Sequence, residues 1–439
     1  MASQATKSCA ESDEEVGLPD GWRCLTISDV VASAHAPRSL DKSQGVKTPF
    51  IPMSLLPQDG GVTSRWELRA PQDVRSGVPF AEGDVLLAKI TPCLENGKLG
   101  LARGLPGGWG ITSTEVYPLR PTKVTPEFLA GFLCQQVVRH GLASKMQGAT
   151  GRQRLPKEAP DSFPIAVPPL PEQQAIAGVL RTVQAARDAC ERVIAATRQL
   201  KHSLLAHLFT YGPVPFDQAE RVSLEDTPGG KVPAHWPIVP IGECAHVQTG
   251  IAKGRRLNGD EVISVPYLRV ANVQSGRLDL SEMKEIELRR RELDRYLLQT
   301  GDIVLTEGGD FDKLGRGFIW RGEISPCVHQ NHIFAVRADR SKLLPDFLAF
   351  FVQSDHARSY FLGVAHKTTN LACINKTKLE GLPVLLPPLS VQRQIATQLS
   401  AVDAKLAAEE SRQNALAFLF ASLLDSLMTG RVRLPEFAT

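Results

Sequence analysis

The sequence predicts an α+β protein made of two tandem mixed α/β domains and two long antiparallel coiled-coil helices, with pseudo-two-fold symmetry. Two observations support this fold class. The first is an internal repeat, in which "FPIAVPPLPEQQAIA" in the first half of the chain faces "LPVLLPPLSVQRQIA" in the second half. The second is a long stretch after each Pro-Pro pair in which apolar residues recur at helical spacing.

The repeat extends over most of the chain. "LPDGW" faces "VPAHW", "EGDVLLAKITP" faces "TGDIVLTEGGD", "EFLAGFL" faces "DFLAFFV", and "LLAHLFTYG" faces "LLDSLMTG". The matched segments keep the same order in both halves, and their spacing drifts only slowly. The chain therefore contains two copies of one structural unit, which is the sequence signature of a repeat architecture.

The composition is that of an ordinary globular protein. The 439 residues are 43% hydrophobic and 22% charged, which predicts two or three domains. The chain lacks the run of about eighteen apolar residues that a membrane span needs, and its start is polar and acidic. We therefore expect a cytoplasmic protein without a membrane partner. The eight cysteines form no C-x-x-C pair, which is typical of free thiols in a reducing compartment.

Each copy divides into a mixed part and a helix. Short apolar runs such as "DVLLAKI" and "DIVLTE" between Gly, Pro and Asn residues predict strands and loops. The predicted organisation is a flexible tail (1–17), a first mixed domain (18–170), a first long helix (171–212), a linker (213–231), a second mixed domain (232–389), a second long helix (390–430) and a tail (431–439).

The long helices carry a heptad seam that predicts their pairing. A helix packed on its own domain is the alternative, but the seam is long and occurs twice. The first helix leads away from the first mixed domain, and the second helix leads back from the second mixed domain. The pair is therefore expected to be antiparallel. The predicted seam residues are Ile176, Val179, Val183, Ala186, Cys190, Val193, Thr197, Leu200 and Leu204 in the first helix, and Ile395, Leu399, Val402, Leu406, Glu409, Gln413, Leu416, Phe420, Leu423 and Leu427 in the second.

These motifs resemble the specificity (S) subunit of type I restriction-modification systems. The resemblance is carried by the repeated PPL-x-(E)Q-x-x-I segment, the G-D-(I/V) strand before a glycine-rich turn, and the L-L-x-x-L-(F/M)-T-G helix end. "YLRVANVQSGRLDL", "GDIVLTEGGDFDKLGRGFIWRGE" and "QNHIFAVR" are especially similar, and the match extends over residues 18–431. One departure is the second helix start, which reads Ser390-Val391-Gln392 where the first reads Pro171-Glu172-Gln173.

The resemblance implies a non-catalytic, DNA-binding subunit. Each mixed domain would be a target recognition domain that reads half of an asymmetric bipartite site in double-stranded DNA, and the helices would set the spacer. Two modification (methyltransferase) subunits would dock on the chain, and two restriction (motor and nuclease) subunits can join them. This chain would hold no cofactor, because S-adenosylmethionine, ATP and Mg would be bound by the partner subunits.

Basic and amide side chains in loops at matching places of both copies are the candidate DNA contacts. Lys and Arg can neutralise phosphates, while Arg, Asn and Gln can form bidentate contacts to bases. Any single residue of this kind is more often a solvated surface group. The candidates are Lys89, Asn96, Lys98, Arg103, Arg152, Arg154, Lys253, Arg255, Arg256, Asn272, Lys313, Arg316, Gln330, Asn331, Lys367, Asn370 and Lys376.

The segment "CVHQNH" has two interpretations. Cys327, His329 and His332 have a spacing that zinc ligands can have. The matching stretch of the first copy offers Glu115 and no paired Cys or His, although a zinc site of the fold would be expected in both copies. We therefore predict no metal here, and favour base or phosphate contacts by His329, Gln330 and Asn331, with a structural role in the loop as the alternative.

Two other functions stay open at this point. A stand-alone DNA-modifying enzyme would need a (D/N/S)-P-P-(Y/F) loop or a G-x-x-x-x-G-K-(S/T) phosphate cradle, and the chain has neither. The nuclease-like triplet Asp403-Ala404-Lys405 lies on a predicted helix. A coiled-coil scaffold with two globular domains that do not bind DNA is compatible with the composition.

Apolar residues away from the seam predict a partner surface on the long helices. A solvent-facing helix surface with surplus apolar side chains is typical of an interaction site. We expect the modification subunits to bind there. The residues that motivate this prediction are Ile194, Leu205, Leu208, Leu419 and Leu424.

Overall fold

The computed structural model describes residues 17–33, 47–58, 60–63, 65–70, 73, 76–149, 151–255, 257, 261–309, 314–367 and 372–438. The chain divides into two compact units. The first comprises Met1–Arg192 with Glu410–Thr439, and the second comprises Val193–Glu409. Among the described residues, no helix is both long enough and apolar enough to cross a membrane.

The first unit packs short helices against small sheets. Its strands form a pair (β1-β11), a five-stranded sheet (β2-β10-β7-β8-β4) and a four-stranded sheet (β5-β3-β9-β6). The strands are β1 Arg23–Thr26, β2 Val31–Ser33, β3 Thr48–Ile51, β4 Val62–Thr63, β5 Glu67–Arg69, β6 Val78–Ala81, β7 Val85–Ala88, β8 Leu99–Ala102, β9 Trp109–Thr112, β10 Val116–Pro121 and β11 Pro164–Val167. The helices are α1 Ile27–Val30, α2 Pro126–Cys134, α3 Gln136–Ala143, α4 Glu158–Asp161 and the start of α5 Leu170–Tyr211.

The second unit repeats this plan. Its four-stranded sheet has the order β15-β24-β20-β22, which corresponds strand for strand to β2-β10-β7-β8 of the first unit. The strands are β12 Leu224–Thr227, β13 Gly230–Pro233, β14 Ile238–Pro240, β15 Ala245–Thr249, β16 Val262–Leu268, β17 Val273–Gln274, β18 Arg277–Leu278, β19 Lys284–Arg289, β20 Ile303–Thr306, β21 Gly308–Gly309, β22 Gly317–Ile319, β23 Val328–His329, β24 Ile333–Ala338, β25 His366–Lys367, β26 Ala372–Cys373 and β27 Pro383–Leu385. The helices are α6 Leu293–Tyr296, α7 Pro345–Phe351, α8 Asp355–Val364, α9 Lys376–Glu380 and the start of α10 Leu389–Met428.

The predicted fold class is confirmed. Both units mix helices with strands, and the two long helices have 42 and 40 residues. The segment predicted as a linker contains an antiparallel hairpin, β12-β13, which the Gly-Gly turn allows but which its polar strands did not reveal.

In each repeat, a buried glutamine that follows the Pro-Pro pair anchors the long helix. The Gln173 side chain accepts a hydrogen bond from the Thr125 N–H (2.9 Å) and donates one to the Pro168 carbonyl (2.9 Å). Gln392 accepts the equivalent bond from the Leu344 N–H (2.8 Å) and donates to a carbonyl of the second Pro-Pro pair (2.8 Å). Both glutamines are buried. The bonds from the Thr125 and Leu344 N–H groups each join a long helix to the N-terminus of a short helix in the adjacent mixed domain.

The repeated Gly-Asp motif is explained by a buried carboxylate before the central strand. Asp84 accepts the Ala81 N–H (2.7 Å) and two bonds from the Arg120 guanidinium (2.8 and 2.9 Å). Asp302 forms the same fork with Arg337 (2.8 and 2.7 Å). Such parallel charge-assisted bonds are among the strongest that side chains make, and they tie neighbouring strands of each central sheet together.

In each unit, the start of one long helix packs against the end of the other. In the first unit, the Arg187 guanidinium lies 5.3 Å from the centre of the Phe420 ring. In the second, Lys201 Nζ forms an ion pair with Asp403 Oδ1 at 2.7 Å. The helix segments are therefore antiparallel within each unit, as predicted. Both charged side chains of the Asp403-Ala404-Lys405 triplet form ion pairs, Asp403 with Lys201 and Lys405 with Glu409.

The predicted seam is wrong at two positions of α5. Val193 and Leu200 have exposed fractions of 38% and 52%, whereas Ile194 is buried between the buried residues Cys190 and Thr197. A straight α-helix has 3.6 residues per turn. A seam assigned with a repeat of 3.5 residues therefore drifts around the helix surface by about 20° per heptad. The buried stripe therefore moves by one residue along the helix.

The residues that motivated the partner surface are mostly core residues. Ile194, Leu205, Leu208 and Leu424 are buried, and of the predicted set Leu419 alone is exposed, at 44%. The reason is that the helix ends pack into the two mixed domains as well as against each other, so that more than one face of each helix is covered.

The expectation of free thiols throughout is wrong for Cys24, which is bonded in a disulfide. Local sequence gives no signal for such a bond. The cysteines with free thiols among the described residues are Cys93, Cys134, Cys190, Cys244, Cys327 and Cys373.

Candidate nucleic-acid interface

Three loops of the first unit meet at the end of the central strand β7. Lys89 follows this strand, and its backbone N–H donates to the Glu115 carbonyl (3.0 Å) in the turn before β10. The Lys89 carbonyl in turn accepts from the N–H of Leu155 (2.7 Å), which belongs to the loop before α4. Backbone bonds to one residue therefore bring a strand end, a turn and the basic segment "GRQRL" together.

The second unit builds the same junction at the end of β20. The Glu307 N–H donates to the His332 carbonyl (2.9 Å), and the Glu307 carbonyl accepts from the Ile374 N–H (2.9 Å). These residues occupy the positions of Lys89, Glu115 and Leu155 in the repeat. The two units thus share a backbone scaffold at this junction, while their side chains differ in charge.

The side chains of the first junction form a bidentate ion pair. Arg154 Nε and Nη2 donate to the two carboxylate oxygens of Glu115 at 2.9 and 2.8 Å. The hydrogen bonds from Arg154 lower the pKa of the Glu115 carboxyl, so the pair is charged at neutral pH. The exposed fractions are 60% for the arginine and 25% for the glutamate. The Lys89 ammonium lies 4.6 Å from the centre of the Tyr117 ring.

The second junction pairs a histidine of the turn with a carboxylate at the strand end. His332 Nδ1 lies 2.6 Å from Glu307 Oε2, and the exposed fractions are 55% and 30%. In the first unit the turn supplies the carboxylate, whereas in the second unit the strand end supplies it. Each junction therefore has an exposed nitrogen side chain paired with a less exposed carboxylate, although the paired side chains come from different positions of the repeat.

The other candidate residues of the first unit lie near this junction or on the same sheet. Lys98 donates to the Met53 carbonyl (2.8 Å), and Arg103 forms an ion pair with Glu127 (2.6 Å). Asn96 and Arg152 are exposed at loop tips. Arg152 and Arg154 belong to one loop, whereas Arg103 is held by a helix of the domain.

The candidates of the second unit are more dispersed. Arg255 forms a fork with Glu292 (2.9 and 3.2 Å), and Lys253 lies 5.4 Å from the centre of the Tyr267 ring. Arg316 donates to Gln274 at 3.4 Å. Of the remaining described candidates, Lys376 forms an ion pair with Glu380 at 3.4 Å. Gln330 and Asn331 are half-buried.

Three further candidates lie outside the described residues, and one described candidate is buried. Arg256, Lys313 and Asn370 lie outside the described residues, and only the backbone of Lys367 is described, in β25. Asn272 is buried, and its amide donates to the Asp279 carbonyl (2.7 Å). Its amide holds a loop together and does not face solvent.

The structure contradicts the predicted contact role of His329 and does not support the zinc alternative. His329 is fully buried, its Nδ1 donates to the Ile333 carbonyl (2.8 Å), and burial lowers its pKa to about 4. Burial also raises the pKa of the Cys327 thiol to about 12. His332 is engaged with Glu307, and no group of three metal-ligating residues occurs in the described part of the chain.

Sequence reasoning missed Glu307 as a site residue. The residues predicted from the sequence are basic and amide side chains, which can contact phosphates and bases directly, and a carboxylate is not among them. The available signal was the repeat, because "EGDVLLAKITP" and "TGDIVLTEGGD" place Glu307 opposite Lys89.

The sequence matches the family described as "Type I restriction modification DNA specificity domain" over residues 19–196 and 233–417. Two similar proteins are the type I restriction enzyme EcoEI and EcoAI specificity subunits of Escherichia coli. The first is 31% identical over 208 residues (45% of this chain, 34% of that protein), and the second is 33% identical over 171 residues (38% and 28%). The chain therefore aligns with about a third of the length of these relatives.

A solved structure has the same fold. It is described as "Structural basis underlying complex assembly and conformational transition of the type I R-M system", with a TM-score of 0.56 at 18% identity. The match covers 94% of this chain and 99% of that one. Since the family match includes both repeats and most of the residues, the chain belongs to the type I restriction-modification DNA specificity domain family.

Proposed function

We propose that this protein is the DNA-recognition subunit of a type I restriction-modification complex, and that each unit reads one half of an asymmetric bipartite site. The observation that carries the proposal is the pair of equivalent junctions. Their backbones are bonded alike, yet the side chains at matching positions are Lys89 and Glu307, and Glu115 and His332. One scaffold with two different sets of side chains suits two half-sites of different sequence.

Contacts to DNA would come from the loops around each junction. Phosphate contacts position a protein on the duplex, and contacts to base edges specify the sequence. We assign phosphate contacts to exposed cations such as Arg152 and Lys253 and to the exposed amide of Asn96. The candidate residues that already form ion pairs would exchange or share those partners with phosphate oxygens.

The long helices would set the spacer between the half-sites. With a rise of 1.5 Å per residue, α5 and α10 are each about 60 Å long. Half-sites read from one face of the duplex are separated by about 34–36 Å or multiples of it. A pair of helices of this length would hold the two recognition domains at a set distance along DNA.

Two modification subunits would bind exposed apolar side chains on these helices. Leu200 on α5 and Leu419 on α10 occupy the same position in the repeat, and both are exposed (52% and 44%). Phe418, beside the second leucine, is 78% exposed. Equivalent apolar positions on two helices provide two equivalent docking sites. Methylation and cleavage, with their S-adenosylmethionine, ATP and Mg, would belong to the modification and restriction subunits.

Sequencing of modified bases in the host genome, with and without this gene, tests the proposal. We expect one bipartite, asymmetric motif to lose its methylation when the gene is deleted and to regain it on complementation. An unchanged methylome in a host whose modification subunit is expressed contradicts the proposed function. Methyl transfer by the isolated, homogeneous chain would contradict its non-catalytic role.

A further inference from the structure

We propose that Arg154, oriented by Glu115, reads a guanine in the half-site of the first unit. We further propose that His332, oriented by Glu307, reads a base with an exocyclic amino group in the half-site of the second unit. This inference rests on the proposed function, which does not say which side chains read bases.

The donors of Arg154 suit a guanine. A guanidinium has five N–H donors in a planar fork. Glu115 takes one from Nε and one from Nη2, which leaves three at the far end of the group. A fork of this kind matches the O6 and N7 acceptors of guanine in the major groove, the commonest specific contact of arginine. With an exposed fraction of 60%, the side chain is accessible to DNA.

Glu115 acts as a positioning residue. It is less exposed than its partner, and its carbonyl accepts the Lys89 N–H, so the turn that carries it is bonded to the central strand. Two parallel bonds fix the plane of the guanidinium before DNA arrives. A side chain that is already oriented loses less conformational entropy on binding.

The histidine of the second unit has a different chemistry. The carboxylate of Glu307 accepts the proton of His332 Nδ1. In the neutral ring the other nitrogen, Nε2, is then an acceptor. An acceptor in the major groove pairs with the amino group of adenine N6 or cytosine N4. The two junctions would therefore read different bases, as an asymmetric site requires.

The alternative is that both pairs are ordinary surface ion pairs. Such pairs contribute little to stability when both partners are exposed to solvent. Both junctions pair an exposed nitrogen side chain with a less exposed carboxylate on the same backbone scaffold, which makes a purely incidental origin a weaker explanation. The small expected effect on stability also means that the residues can be replaced without unfolding the chain.

The test uses the full-length chain co-expressed with its modification subunit, and reads the methylated motif by sequencing. Arg154→Lys keeps the charge and removes the fork, so we expect the preference for one guanine of one half-site to fall about tenfold or more. Glu115→Gln should weaken the preference at that same base. His332→Ala should relax one position of the other half-site only. Arg431→Lys, which alters an exposed ion pair with Asp425 after the end of α10, is the matched control and should leave the motif unchanged.

Two results overturn the inference. One is an unchanged motif in the Arg154→Lys protein. The other is a uniform loss of methylation at all sites, which is the signature of a phosphate contact. Thermal unfolding midpoints of all variants should equal that of the wild type. If the wild-type complex itself methylates no bipartite motif, the proposed function fails instead, so the two failures are distinguishable.

Discussion

Arg433, near the end of the chain, holds the carboxylate of Glu172 at the start of α5 through two parallel hydrogen bonds of 2.9 Å. Glu172 is buried and also accepts the Trp22 Nε1–H (3.1 Å). In the second unit, the two corresponding positions are Val391 and Pro215. A charged pair in one unit is thus replaced, at both positions together, by apolar residues in the other, which explains the one departure in the repeated Pro-Pro segment.

Replacement of Glu172 by Val, the residue of the second repeat, should destabilise the first unit. The change removes bonds to a charged partner and to an indole, and we expect a loss of about 2 kcal/mol in the free energy of unfolding. Arg433→Leu leaves the buried carboxylate without its cation, so it should also destabilise the unit. The double variant should lose less than the two single effects together, because they remove one shared interaction. Urea denaturation measures this, and strictly additive losses would show that the pair is not coupled.

Asp302→Asn should weaken the central sheet of the second unit. The carboxylate is buried and makes a fork with Arg337, whose side chain is 37% exposed. Breaking a buried pair costs about 3–5 kcal/mol, and partial exposure of the arginine reduces our expectation to about 2–3 kcal/mol. Hydrogen exchange should accelerate in β20 and β24. Asp346→Asn, which removes an exposed ion pair with Arg321, is the control and should change stability by less than about 1 kcal/mol.

Acidification should destabilise the protein through His329. Burial lowers the pKa of this residue to about 4 from 6.5. Between these values the unfolded chain binds a proton that the folded chain does not, so stability is full above pH 6.5 and falls as the pH drops towards 4. The difference corresponds to about 3 kcal/mol at most. A His329→Gln variant should lose stability less steeply between pH 6.5 and 4.5, and equal slopes for both proteins would exclude this contribution.

Leu419→Asp and Leu200→Asp should each remove one modification subunit. A charge in the middle of an apolar contact must be desolvated on binding, which is costly. Light scattering of the co-expressed complex should show a loss of one partner for each single variant and of both for the double variant. Ala421→Asp, on an exposed position across the same helix, is the matched control. Complexes of unchanged mass would place the docking surface elsewhere.

Deletion of one heptad from each long helix should shorten the DNA spacer. Removing Ala185–Glu191 together with Ala404–Glu410 keeps the apolar seam in phase. Each helix becomes about 10 Å shorter, which corresponds to about 3 base pairs. Methylome sequencing should return the original half-sites with a shorter gap, at reduced activity, because DNA must bend or twist to fit. Unchanged spacing with full activity would mean that the helices do not measure DNA.

The sequence by itself determined the repeat, and with it most of the architecture. Paired segments such as the Gly-Asp turns and the Pro-Pro-Leu helix starts predicted two equivalent units and two long helices. These features are local or periodic, so they can be recognised without coordinates. Gln173 and Gln392 show why the segments match, because each forms the same two backbone bonds in its own unit.

Tertiary structure decided which side chains are accessible and which partners they have. His329 and Asn272 look like exposed polar residues in the sequence, yet both are buried by strands that are distant along the chain. The pairing of Arg154 with Glu115, and of Arg433 with Glu172, joins residues whose separation no local pattern encodes. Helical periodicity predicts that a face is buried, but the neighbouring domains decide which residues are covered, and this is why Leu200 is exposed and Ile194 is buried.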